Sequence, residues 1–113
     1  MERKETEGKK ILIVDDEEIV SKSLLKLLKS QGYQPTIAKS GKEAIEKVKE
    51  EDFDLLIVDV RMPEMDGIET IQQIHAYLKK VNKKSIPEVI ITGYADLKKY
   101  KQALDLKVAN YNI

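Results

Sequence analysis

The feature that most constrains the fold is the stretch Asp54-Leu55-Leu56-Ile57-Val58-Asp59-Val60-Arg61-Met62-Pro63-Glu64-Met65-Asp66-Gly67. An apolar run, Leu55 to Val58, leads directly into the carboxylate of Asp59, and Pro63 and Asp66-Gly67 then stop regular structure. Branched apolar residues without polar alternation are what a strand covered on both faces of a parallel sheet requires. In open α/β sheets ligands bind beyond the carboxyl ends of such strands, so Asp59 is expected at the chemically active edge.

The same arrangement occurs earlier. Lys10-Ile11-Leu12-Ile13-Val14 is a short buried strand ending in Asp15-Asp16-Glu17-Glu18. Ile19, Val20, Ser23, Leu24, Leu27 and Leu28 then form one apolar face of a helix reaching about Ser30, with Gly32 in a left-handed terminating role. Pro35-Thr36-Ile37-Ala38 is a weak second strand, its proline suited to the strand start or a sheet edge. Ser40-Gly41-Lys42-Glu43 is a capping box opening a second helix through Ala44, Ile45 and Val48 to about Glu50.

Beyond the central strand, Asp66-Gly67-Ile68-Glu69 again has cap chemistry. Ile68, Ile71, Ile74 or His75, Leu78 and Val81 predict a third helix of about fourteen residues. Ile86 to Ile91 makes a fourth strand ending at Thr92-Gly93, Asp96 caps a short helix carrying Leu97, Tyr100, Ala103 and Leu104, and Ala109 to Ile113 is a fifth strand. This alternation predicts an α/β fold, a doubly wound parallel five-stranded sheet with right-handed crossovers and strand order 2-1-3-4-5. The order reverses between strands one and three, the two strands that end in Asp15-Asp16 and Asp59.

At 113 residues the chain is one domain, expected over residues 10–113 behind a charged, solvated tail at residues 1–9. Twenty basic and twenty acidic residues cancel, and no run of one sign suggests a nucleic-acid or membrane partner. The absence of cysteine removes disulfides, thiolate metal sites and cysteine nucleophiles and fits a cytoplasmic setting. No apolar run approaches the roughly 20 residues of a membrane span. Met1 to Lys10 lacks the apolar core of a signal peptide.

Three converging carboxylates stay ionised at neutral pH only beside a cation. Oxygen ligands without His or Cys select Mg²⁺, which takes one or two carboxylates and completes its shell with water and phosphate. A carboxylate can attack phosphorus to give an acyl phosphate. Asp59 is the better nucleophile candidate, Asp15 and Asp16 the ligand pair, and Thr92 a neighbouring hydroxyl.

Taken together, Ile11-Leu12-Ile13-Val14-Asp15-Asp16, Asp59-Val60-Arg61-Met62-Pro63-Glu64-Met65-Asp66-Gly67, Ile90-Ile91-Thr92-Gly93 and Tyr111 resemble the receiver domains of two-component response regulators, over nearly the whole chain. The resemblance implies that Asp59 accepts a phosphoryl group from a phosphohistidine of a sensor histidine kinase or phosphotransfer protein. It implies Mg²⁺ held by Asp16, Asp59 and the backbone carbonyl of Arg61, with Asp15 acting through metal-bound water. Thr92 would bond a phosphoryl oxygen and move, and Tyr111 would turn inward as the coupled aromatic switch. Any catalysis would be self-phosphorylation and autodephosphorylation, with Arg61 and Tyr94 flanking the pocket and tuning hydrolysis.

Family members carry a Lys-Pro pair after the fifth strand and then a fifth helix, whereas this sequence stops at Ile113. The expectation is therefore a receiver fold lacking its final helix, with apolar surface left on the sheet and first helix and available to a homodimer. Two alternatives stand beside phosphoacceptance. One is a receiver-like interaction module that is not phosphorylated. The other is a Mg²⁺-dependent aspartyl-nucleophile phosphatase similar to haloacid dehalogenases, disfavoured because Arg61 occupies the position of their second aspartate. His75 is expected to be a surface or boundary residue without an acidic partner, and Lys79, Lys80, Lys83 and Lys84 a solvated helix end.

Overall fold

The computed structural model describes residues 8–59 and 67–91. Its elements are β1 (Lys10–Val14), α1 (Glu18–Ser30), β2 (Gln34–Ala38), α2 (Gly41–Glu50), β3 (Leu55–Asp59), α3 (Gly67–Lys80) and β4 (Glu88–Ile91). All pairings are parallel, in the order β2-β1-β3-β4. This is the first four-fifths of the order expected from sequence. The helix from Asp96 and the strand from Ala109 lie outside the described residues.

The unbroken apolar runs follow from the sheet having two covered faces. Ile11, Ile13, Leu55 and Ile57 point to one side, where they pack with Leu24 and Leu28 of α1 and with Tyr33 and Val89. Leu12, Val14, Leu56 and Val58 point to the other, against Ala44, Val48, Ile71, Ile74 and Leu78 of α2 and α3. Period-two alternation thus separates two apolar layers rather than a core from solvent. Each fully buried side chain of this size contributes about 1.5–3 kcal/mol relative to exposure. The chain is tied to the sheet from Gly8 onward, because the Gly8 N–H donates to the Gly32 carbonyl (3.1 Å) and the Gln34 N–H to the Lys9 carbonyl (2.8 Å).

Helix ends follow the sequence closely. Gly32 has φ 93°, the left-handed turn that releases the chain from α1 into β2. Ser40 accepts a hydrogen bond from the Glu43 N–H at 3.1 Å. The Glu43 carboxylate returns to the Lys39 N–H, also at 3.1 Å, one residue earlier than the reciprocal bond of a standard capping box. Asn82, at φ 58°, ends α3 in the same left-handed region that Gly32 uses after α1.

Three apolar assignments differ. On α1 the innermost residues are Ser21, Leu24 and Leu28, while Ile19 is 82% exposed. The small Ser21, whose hydroxyl donates to the Glu18 carbonyl at 3.2 Å, is buried where Ile19 is not. On α3, Ile74 rather than His75 is the core residue, and Thr70 completes the stripe. Ile68 and Val81, at the two ends of α3, are exposed. The sheet surface on the α1 side is not bare where β3 crosses it: Leu55 and Ile57 are both buried.

Candidate functional site

Register brings the acids together. Val14 pairs with Val58, so the next residues on these adjacent parallel strands, Asp15 and Asp59, emerge side by side at the carboxyl edge. The Asp15 N–H donates to the Ala38 carbonyl at 3.0 Å, extending the β1 ladder one residue beyond the strand. Carboxylate oxygens of Asp15, Asp16 and Asp59 all lie within 4.8 Å of one another. Asp15 and Asp59 are buried and Asp16 is exposed, so the cluster has two walls and one open side.

Asp15 also shapes the entry to α1. The N-cap residue Glu17 supplies no side-chain cap; instead its N–H donates to Asp15 Oδ1 at 2.8 Å. This bond favours the ionised form, yet the Asp15 carboxyl is pushed up from 3.8 to about 6. Burial is the largest cause, and the charges of Asp59 and Asp16 and a side-chain hydrogen bond with Asp59 act in the same direction. Among the described residues, none of the groups acting on Asp15 is a cation.

Mg²⁺ binds oxygen at roughly 2.0–2.1 Å, so oxygens on opposite sides of its shell stand about 4.2 Å apart. Three carboxylates with oxygens within 4.8 Å therefore match one such ion with a slight closing or with one oxygen acting through water. The donor set is all oxygen and contains no His or Cys, which fits a hard cation.

Of the other residues singled out from sequence, Arg61, Thr92, Tyr94 and Tyr111 lie outside the described residues, as do Met62, Pro63, Met65 and Asp66. His75 is away from the cluster, and the expectation that it lacks an acidic partner is corrected: its Nε2 is 3.2 Å from Glu88 Oε2. The contact has ion-pair distance without hydrogen-bond alignment, since Nε2 has no hydrogen-bond partner. Lys83 is likewise not merely solvated, because its Nζ lies 3.0 Å from Asp52 Oδ1. Sequence reasoning missed the Glu17 N–H as the donor that orients Asp15. A backbone donor leaves no signature in residue identity.

A parallel sheet with acids gathered at the ends of β1 and β3 is the arrangement of a phosphoacceptor signalling module, and comparison with known proteins agrees. The Response regulator receiver domain family matches residues 11–111, and the chain belongs to that family. The transcriptional regulatory protein ZraR of Klebsiella oxytoca is 40% identical over 103 residues, which are 91% of this chain and 22% of that protein. The chain thus spans about a fifth of the length of this curated relative. Among solved structures, a CheY-like response regulator receiver domain protein from Methanospirillum hungatei is similar with TM-score 0.68 and 31% identity, over 87% of this chain and 74% of that one. TrrA from Thermotoga maritima, solved in complex with Mg²⁺-BeF, is similar with TM-score 0.70 and 26% identity, over 88% and 98%. Among the described residues no helix is long and apolar enough to cross a membrane.

Proposed function

We propose that Asp59 is the residue of this receiver domain that takes up the phosphoryl group, in a reaction that depends on Mg²⁺. The observation that carries this reading is the placement of Asp59 at the end of the central strand, buried, with a carboxylate oxygen within 4.8 Å of those of Asp15 and Asp16. The donor is a phosphohistidine on a sensor histidine kinase or phosphotransfer protein. An Asp59 carboxylate oxygen attacks phosphorus, the P–N bond breaks, and the leaving imidazole recovers a proton. Asp16, Asp59 and the Arg61 carbonyl, with Asp15 through water, would hold the divalent cation, which would supply screening of the charge on the transferring group. The Mg²⁺-BeF complex of TrrA supports the same chemistry here.

In this reading Thr92, the residue after β4, bonds a phosphoryl oxygen, and Tyr111 responds as the second half of the switch. The domain comprises residues 10–113 behind the tail, and the setting is cytoplasmic. The deciding experiment is incubation with Mg²⁺ and acetyl phosphate. A hydroxylamine-labile mass increase of one phosphoryl group on Asp59 is expected, lost in strong acid as an acyl phosphate should be, with none in Asp59→Asn. Beryllofluoride in place of acetyl phosphate should move the backbone resonances of Thr92 and Tyr111. Absence of any adduct or shift would leave the domain as an interaction module that works unphosphorylated.

A further inference from the structure

We draw no further inference here: the strongest candidate, the surface patch at the start of α1 where Ile19 stands 82% exposed close after the exposed Asp16, carries nothing because nothing in the structure shows what covers it.

Discussion

Asp15 couples the chemistry of the site to the stability of the chain. Its carboxyl is raised to about 6 in the folded state against 3.8 otherwise, so the folded chain holds a proton that the unfolded chain has released. Stability therefore falls as pH rises from 3.8 through about 6, the reverse of a salt-bridged aspartate. Carbon-detected titration of the Asp15 carboxyl without divalent ions should show a midpoint near 6, and added Mg²⁺ should move it well down. Asp59→Asn removes one of the two repelling charges and the carboxyl–carboxyl bond, so the Asp15 midpoint should fall even without metal. A midpoint unmoved by both changes would separate Asp15 from the cluster. These acids were legible in the sequence because each follows an apolar run that has to be a strand, and strand ends are where such sheets bind ligands. Ile19 fits the spacing of the apolar face of α1 yet stands in solvent, because the buried face runs through Ser21, Leu24 and Leu28, and a buried serine leaves no apolar signal in the sequence.

The elements can be tested one at a time. Ser40→Ala deletes the hydroxyl that accepts from the Glu43 N–H and should cost about 1 kcal/mol in chemical denaturation. Leu56→Ala opens a hole in a fully buried stretch of β3 and should cost about 2–5 kcal/mol. Ile19→Ser, at a position 82% exposed, should stay within about 0.5 kcal/mol of the parent. A large loss there would mean that α1 is covered on its outer side. Strand and helix identities were readable from period and caps, since a run such as Leu55-Leu56-Ile57-Val58 admits few other placements. What could not be read was which end residues of a helix reach the core: Ile68 and Val81 keep the α3 spacing but lie beyond the part of the helix that the sheet covers. Pairs distant in sequence, such as His75 with Glu88 and Lys83 with Asp52, exist only once the strands are in register.

Across the whole molecule, ligation at the carboxyl edge should be felt as stability of the entire domain. On the proposed function, Mg²⁺ with beryllofluoride would bind only the folded chain, so the unfolding midpoint should rise with ligand concentration, by about 2.7 kcal/mol in free energy at a hundredfold excess over Kd. The same addition to Asp59→Asn should leave the midpoint where Mg²⁺ alone puts it. The strand order was legible because alternating elements leave few right-handed solutions. β3 sits between β1 and β4 and sends successive residues into opposite apolar layers. Neither half of the protein can therefore loosen without uncovering the backbone that the other half shares. Hydrogen exchange at Leu56 and Ile57 should consequently proceed only through complete opening of the chain, at one common free energy. Among the described residues, the two apolar layers meet on this strand, so whatever separates it from its neighbours opens both layers at once.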